Sequence, residues 1–236
     1  MPSRDAYLFG ISGGLSAVKG VRSAGVACGL KRGGQPDLAL VVSDGPATVA
    51  ATFTTNRVQA APVQVSRRRL RRGKFAAIVL NSGNANACTG RQGLADAEAM
   101  VLEAARVLKR PAGQVFVGST GVIGRRLDMG AIRKGIAKAA ARLDVSGGSG
   151  AAQAILTTDT TPKEAAITFA MGNHRVSIGG MAKGSGMIAP RMATMLAVIG
   201  TDAGLAPGSL QMGDAVESFE GRPRQRAVLT SAWVAE

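Results

Sequence analysis

Short apolar runs recur along this 236-residue chain, and several of them end at clusters of Gly, Pro, Asn or Ser. Runs of this length and punctuation are typical of buried strands closed by turns. The turn composition of Ser43–Pro46 predicts that the two strands around it form a hairpin or meander. The strands predicted in this way are 38–42, 48–53, 75–80, 114–117, 165–169, 174–178 and 195–199, with 165–169 and 174–178 as a second hairpin.

Helical spacing, with apolar residues three and four positions apart, predicts helices over 94–109, 129–143 and 151–156. The segment Ser146–Gly150 is expected to stop the second of them. Because strands outnumber helices and many are neighbours in sequence, we predict an α+β fold rather than a doubly wound parallel sheet. The apolar stripe of the first helix is formed by Leu94, Ala97, Val101, Leu102, Ala105 and Leu108.

The charge balance is strongly basic, with 29 Lys and Arg against 15 Asp and Glu. Such a balance suits either a nucleic-acid surface or a site for small anionic substrates. The densest run, Arg67–Lys74, is interpreted as a solvated loop or short helix between two strands. Aromatic residues make up only 3% of the chain, and no zinc-finger, RNP or helix-turn-helix spacing is found. Nucleic acid is therefore not the expected partner.

Cofactor and targeting signals are weak throughout the sequence. Cys28 and Cys88 have no CxxC spacing, so neither a disulfide framework nor a metal site is expected. No Walker A or GxGxxG pattern suggests a nucleotide cofactor. The N-terminus has no apolar signal region and no stretch approaches about 20 apolar residues, so we expect a soluble, cytoplasmic protein without a membrane partner.

The segment Lys183–Leu196 carries the strongest candidate chemistry, because one hydroxyl, Thr194, follows Ala193 downstream of a lysine and a Gly-Ser-Gly turn. Self-cleavage needs a hydroxyl placed against the preceding carbonyl and donors that hold the oxyanion. The ordinary interpretation of such a threonine is a β-branched residue in a buried strand. On pattern alone that interpretation is preferred.

Three further motifs would, taken singly, be plain turns. Gly118–Gly124 follows a strand and exposes backbone N–H groups and a hydroxyl. Thr157–Lys163 is dense in hydroxyls, and Asn81–Gly90 is dense in turn-stabilising Asn. His174 is the only histidine and is assigned to a hairpin, which argues against a Ser-His-Asp triad.

Together these motifs resemble, from about Val18 to Phe219, the ornithine acetyltransferase (glutamate N-acetyltransferase) family of arginine biosynthesis. The resemblance implies an N-terminal-nucleophile fold with an α/β/β/α layering, its second half largely missing here. It implies self-cleavage into a region 1–193 and a region 194–236. The implied residues are Ala193 and Thr194 at the cleavage site, Thr194 as nucleophile, Thr120 and Gly121 as oxyanion hole, and Thr157, Lys183 and Thr194 as substrate ligands.

The resemblance also implies an activity, the transfer of an acetyl group from N-acetylornithine to glutamate by a ping-pong route through Thr194. It calls for no cofactor, and acetyl-CoA as an alternative acetyl donor stays open. The implied partners are these two substrates, the cleaved C-terminal chain, and further copies in a homo-oligomer of α/β heterodimers.

The sequence departs from the family pattern after Phe219, where an Arg- and Ala-rich tail with the only Trp begins at about residue 220. We interpret this change as the product of a frameshift or truncation, which resequencing across the Phe219 codon would test. Three alternatives therefore stay open: an inactive remnant of the family, another N-terminal-nucleophile amidohydrolase that transfers acyl groups to water, and a basic nucleic-acid-binding module.

Overall fold

The structure is a computed structural model that describes residues 8–54, 56–171, 173–185, 195–204 and 232–235. The strands are β1 (Phe9–Ile11), β2 (Val21–Val26), β3 (Leu38–Ala50), β4 (Lys74–Asn81), β5 (Val115–Ser119), β6 (Lys163–Met171), β7 (His174–Lys183), β8 (Leu196–Thr201) and β9 (Ala232–Ala235). The helices are α1 (Ala61–Leu70), α2 (Gly90–Leu108), α3 (Met129–Ala140) and α4 (Gly148–Ala154), with 3₁₀ turns at Gly14–Ala17, Arg32–Gly34 and Ala112–Gln114.

The described strands form one mixed sheet in the order β1-β6-β7-β8-β9-β3-β4-β5, and β2 pairs with β3 outside this path. β4 and β5 are parallel, as are β8 and β9, whereas the remaining pairs are antiparallel. Helix α2 lies in the connection between the parallel strands β4 and β5. This combination of antiparallel hairpins with added helices is the α+β class that the sequence predicts.

Two hydrophobic cores lie on opposite faces of the central strands β3 and β4. One face, with Leu40 and Val79, packs against α1, α2 and α3. The other face, with Val41 and Ile78, shares its core with α4 and with Met181 of β7. Side chains alternate between the faces along each strand, so both faces of β3 and β4 are apolar and covered. The central strands are therefore covered by α1, α2 and α3 on one face, and by α4 and part of the same sheet on the other.

The predicted hairpin at Ser43–Pro46 is wrong: this segment lies inside the single long strand β3. The register of β3 on β4 shifts between Val42 and Ala47, which marks a bulge. β2 pairs with β3 only as far as Ser43, and β9 pairs with it only from Ala47. Pro46 has no N–H to donate to a neighbouring strand. It lies between the part of β3 that pairs with β2 and the part that pairs with β9.

The helix boundaries also differ from the predictions. α2 begins at Gly90 rather than at residue 94, and Leu102, assigned to its apolar stripe, is 58% exposed. The segment Ser146–Gly150 does not end in a loop, because α4 begins within it at Gly148. The hairpin of β6 and β7 is confirmed but longer than predicted, and its extension makes Lys183 the last residue of β7. Among the described helices, none has the length and apolarity needed to cross a membrane.

Candidate active site

The turns that follow β4 and β5 meet at one edge of the sheet, because these strands are parallel and end side by side at Asn81 and Ser119. The Ser119 hydroxyl donates to Asn81 Oδ1 (2.6 Å), and the Thr120 N–H donates to the Asn81 carbonyl (3.0 Å). Asn84 forms isolated β-bridges with Thr120 and Val122. The Asn-rich motif therefore acts as the frame that holds the Gly118–Gly124 turn.

Gly121 is required at its position by close contact as well as by conformation. Its φ is +132°, in a region that residues with a side chain rarely adopt. A Cβ there would lie 2.4 Å from the Gly83 carbonyl carbon and 2.6 Å from the Asn84 nitrogen. The two turns thus pack backbone against backbone, which fixes the direction of the N–H groups around Thr120.

Lys183 is the centre of the site: it is only 3% exposed, and its ammonium binds two threonines from separate motifs. Lys183 Nζ donates to Thr157 Oγ1 at 2.7 Å and to Thr120 Oγ1 at 3.2 Å. An ammonium group has donors and no acceptor. Both hydroxyls must therefore accept from Lys183, and each keeps its own O–H proton for another partner, such as a substrate oxygen.

The charge of Lys183 results from opposing effects. Burial lowers its pKa below the ordinary value for lysine, the carboxylate of Asp159 raises it, and the neighbouring Lys163 lowers it again. Asp159 Oδ2 lies 3.9 Å from Lys183 Nζ, which is an ion-pair distance without a direct hydrogen bond. Asp159 is therefore the anion that opposes the cost of burying this lysine.

Asp159 itself has a fully buried side chain that joins the two ends of the site. Oδ1 accepts from the Gly184 N–H (2.7 Å) and from Lys163 Nζ (2.5 Å), while Oδ2 accepts a long hydrogen bond from the Thr157 N–H (3.5 Å). Burial alone would raise its pKa, but the hydrogen bonds from Lys163, Gly184 and Thr157 outweigh burial and lower the pKa to about 2.

A second buried carboxylate, that of Asp37, organises the loop on the other side of the site. It accepts from the backbone N–H groups of four consecutive residues, 28 to 31. Lys31, at the end of this loop, donates to the Pro36 carbonyl (2.9 Å), and its side-chain stem lies beside the Gly83 turn. Burial lowers the pKa of Lys31, the Asp37 carboxylate raises it, and the charge of Lys183 lowers it further. The site is thus more cationic than Lys183 alone would make it.

The structure brings together four of the predicted site residues. Thr120, Thr157 and Lys183 are joined by hydrogen bonds, and Gly121 directly follows Thr120 in the same turn. Ala193 and Thr194 lie outside the described residues. Sequence reasoning did not single out Asp159, although an Asp within a run of threonines and four residues before a lysine is a visible signal. His174 is exposed at the start of β7, in the hairpin where the sequence places it.

The cysteines and the basic run singled out in the sequence lie in ordinary structural surroundings. In the described ranges, no group of three or more His, Cys, Asp or Glu side chains is placed to hold a metal ion. Cys28 and Cys88 are both free thiols. The basic run begins inside α1, where the guanidinium groups of Arg68 and Arg69 bind the carboxylate of Glu98. Arg67 lies over the Phe53 ring, with Cζ 5.2 Å from the ring centroid.

Comparison with known sequences identifies a match to the ArgJ family model over residues 22–218. The chain is 53% identical over 198 residues to the arginine biosynthesis bifunctional protein ArgJ of Synechococcus sp., a match that covers 84% of this chain and 48% of the relative. The protein of the same name from Streptomyces coelicolor is 50% identical over 197 residues, with 83% and 50% covered. The chain spans about half the length of the curated relatives it matches.

Two solved structures have the same fold. The crystal structure of ArgJ from Bacillus halodurans matches with a TM-score of 0.75 and 40% identity, over 80% of this chain and 100% of that chain. The ornithine acetyltransferase of Mycobacterium tuberculosis, solved in complex with ornithine, matches with a TM-score of 0.74 and 41% identity, over the same shares.

Proposed function

This chain belongs to the ArgJ family, and we propose that it forms the catalytic part of an ornithine acetyltransferase that moves an acetyl group from N-acetylornithine to glutamate. One observation carries the proposal. The buried Lys183 donates at once to Thr157 and Thr120, so three separate motifs of the sequence converge on a single cation. A cation bound to two threonine hydroxyls, each with an O–H left to donate, suits the carboxylate and amide oxygens of an acetylated amino acid.

The first proposed step is cleavage between Ala193 and Thr194. The Thr194 hydroxyl attacks the Ala193 carbonyl carbon, the peptide C–N bond breaks as an ester forms, and water hydrolyses the ester. The products are a carboxylate on Ala193 and a free amine and hydroxyl on Thr194. The new α-amine, with an ordinary pKa near 8, can then take up the hydroxyl proton as general base.

Two observations support cleavage at this bond. Leu196, two residues after Thr194, pairs with Lys183 and lies 3.8 Å from where a Cβ on Gly118 would be. Two peptide links reach at most about 7 Å, which supports the proposal that Thr194 acts beside Lys183. The two relatives of known structure are matched over their whole chains by 80% of this chain, or about 189 residues. That length is close to the 193 residues before the proposed bond.

Acetyl transfer follows in two half-reactions. Thr194 Oγ attacks the acetyl carbonyl of N-acetylornithine, the amide C–N bond breaks, and the leaving amine of ornithine takes the proton. The glutamate amine then attacks the acetyl-Thr194 ester, which restores the hydroxyl. In both tetrahedral intermediates the negative oxygen would accept from the Thr120 O–H and the Gly121 N–H, the expected oxyanion hole. Thr157 and Lys183 would hold the substrate.

The partners and the location belong to the same proposal. The fragment beginning at Thr194 would stay bound to the fragment ending at Ala193 as an α/β heterodimer, and such heterodimers would assemble into a homo-oligomer in the cytoplasm. Acetyl-CoA would serve as an alternative acetyl donor only if the site also accepts a thioester. The ornithine in the mycobacterial structure supports a small amino acid as ligand of this fold.

The intact mass of the purified protein tests the first step, with Thr194→Ala as the control. We expect two fragments that separate before Thr194 in the wild type and one species of 24.0 kDa in the variant. A single uncut species in both proteins would contradict the proposed cleavage.

The transfer step is tested with N-acetylornithine carrying a labelled acetyl group. We expect labelled N-acetylglutamate when glutamate is present. Labelled acetate in place of N-acetylglutamate would instead identify a hydrolase, and cleavage without either product would identify an inactive remnant. Both results contradict the proposed transfer to glutamate, and the mass experiment is independent of them.

A further inference from the structure

Unlike Lys183, Asp159 makes no hydrogen bond to a threonine hydroxyl within the part of the chain that the structure describes. Among the described residues, its carboxylate accepts from the Gly184 N–H, the Thr157 N–H and Lys163 Nζ, which belong to the frame of the site. It also lies at the ion-pair distance of 3.9 Å from Lys183. A fully buried carboxylate with this set of partners acts on the site through other residues.

The hydrogen-bond polarity of the site depends on the charge of Lys183. While Lys183 is an ammonium group, Thr120 and Thr157 accept from it and their O–H protons are directed elsewhere. A neutral amine has a lone pair that could accept from one of these hydroxyls. The hydroxyl concerned would then donate to Lys183 instead of to a substrate oxygen or an oxyanion.

We propose that Asp159 is the positioning residue of this site: its buried carboxylate keeps Lys183 charged and fixes the backbone at Gly184, so that Thr120 and Thr157 remain donors toward the substrate. The proposal rests on the proposed function, because it assigns Asp159 a role in the same reaction. It adds to that function a carboxylate that influences the reaction through the charge of Lys183 rather than by reacting itself.

The charged groups around Lys183 in the described part of the chain are consistent with this role. The like charge of Lys163 on β6 lowers the pKa of Lys183, and the charge of Lys183 in turn lowers the pKa of Lys31 on the loop before β3. Burial lowers the pKa of Lys183 as well. Asp159 is the anion that opposes these effects on Lys183, and its own low pKa keeps it ionised throughout the neutral range.

Two variants with opposite expected effects test the proposal. Asp159→Asn keeps the shape of the side chain and removes its charge, so the pKa of Lys183 should fall. Lys163→Met removes a competing cation and a partner of Asp159, so the pKa of Lys183 should rise. Lys163 has a 47% exposed side chain and touches neither threonine hydroxyl, which makes it a suitable control.

The measurement is the pH titration of the lysine Cε resonances by NMR in protein labelled with ¹³C-lysine, with the Lys183 signal assigned through Lys183→Arg. This titration needs neither self-cleavage nor acetyl transfer. Opposite shifts in the two variants support the proposal even if the protein has no transferase activity. Equal shifts in the same direction, or no shift in either variant, overturn it even if the protein is active.

Where acetyl transfer is measurable, the pH profile provides a second readout. The alkaline decline of kcat/KM should begin at lower pH in Asp159→Asn and at higher pH in Lys163→Met. A uniform loss of activity at every pH in Asp159→Asn, with the wild-type profile unchanged in shape, would show a structural role only and would overturn the proposal.

Discussion

Two cationic regions of this protein have the same type of charge and opposite surroundings. The Arg67–Arg69 run of α1 carries three guanidinium groups in succession, and two of them bind the single carboxylate of Glu98 near the surface. Lys183 is an isolated cation in the sequence, yet it is 3% exposed and its ammonium binds two threonine hydroxyls. The density of charge in the sequence is thus a poor guide to where charge acts. A buried cation that binds residues of several motifs is a better guide to where charge acts.

Removing the charge of Lys183 should have the largest effect on activity. We expect Lys183→Met to weaken acetyl transfer by about 100-fold or more, because Thr120 and Thr157 both lose their donor and the substrate carboxylate loses its cation. The measurement is kcat/KM with N-acetylornithine, or ornithine affinity by calorimetry. The matched control is Arg68→Met, which removes the same charge from α1 and should change either value less than about twofold. Comparable losses in the two variants would contradict the assignment of the site.

A substitution in the turn that frames Lys183 should have the next largest effect, in this case on stability. Gly121→Ala should lower the free energy of unfolding by about 3 kcal/mol, because the new Cβ would meet the backbone of Gly83 at 2.4 Å while φ stays positive. Urea unfolding monitored by circular dichroism measures the change. Gly124→Ala is the control: its φ is also positive, but nothing lies within 4 Å of its Cβ position, so about 1 kcal/mol is expected. Equal costs would show that strain alone, and no contact between the turns, restricts Gly121.

The pH dependence of stability should distinguish the buried ion pairs from the surface ones. The pKa of Asp159 in the folded protein is about 2, below its ordinary value of 3.8, so its charge stabilises the fold above pH 4. This contribution is lost as pH falls toward 2. We therefore expect the difference in unfolding free energy between wild type and Asp159→Asn to be full at neutral pH and to shrink between about pH 4 and pH 2. A difference that stays constant over this range would contradict the low pKa.

The smallest effect is expected for the surface pairs of α1. Arg68→Ala should cost about 0.5 kcal/mol of stability, since its side chain is 59% exposed and its ion pair with Glu98 is screened by water and salt. Urea denaturation of the wild type and of Arg68→Ala, at low salt and at 1 M salt, measures the difference in their unfolding free energies. This difference should vanish at 1 M salt. The side chain of Arg69 is 13% exposed and binds Glu98 through two nitrogens. We therefore expect Arg69→Ala to lower the free energy of unfolding more than Arg68→Ala does, and to keep part of this effect at 1 M salt.

Most strands could be predicted from the sequence because both faces of the central strands are buried, which produces continuous apolar runs such as Phe75–Leu80. The failures come from glycine and proline, whose roles depend on tertiary contacts. Gly147 and Gly150 were interpreted as a helix stop. Each of them lies against the backbone of β2 instead: a Cβ on Gly147 would fall 1.8 Å from the Ser23 carbonyl oxygen, and one on Gly25 1.8 Å from that of Gly150. Gly147 and Gly25 are therefore needed for close approach, whereas a Cβ on Gly150 would lie 3.6 Å from its nearest neighbour, an ordinary contact.

The site was predictable only in part, for a related reason. The order of motifs led to Thr120, Gly121, Thr157 and Lys183, since each lies in a recognisable run of residues. Asp159 lies in one of the same runs, but its role depends on burial and on the distance to Lys183, and neither is visible in a linear sequence. Hydroxyl-rich turns with an Asp usually stabilise themselves locally. Here the carboxylate binds its neighbours Thr157 and Lys163 and also reaches Gly184, which is 25 residues away.

The ladder between β7 and β8 has a consequence for the molecularity of folding. Six residue pairs join Ile178–Lys183 to Leu196–Thr201, and a cut before Thr194 would place the two strands on different polypeptides. Before the cut, folding is a unimolecular reaction of one chain. After it, the unfolded fragments would have to meet again in solution, so recovery from denaturant would become second order and its yield would depend on protein concentration. The cleaved protein would therefore retain a native state that its own dilute fragments regain only slowly.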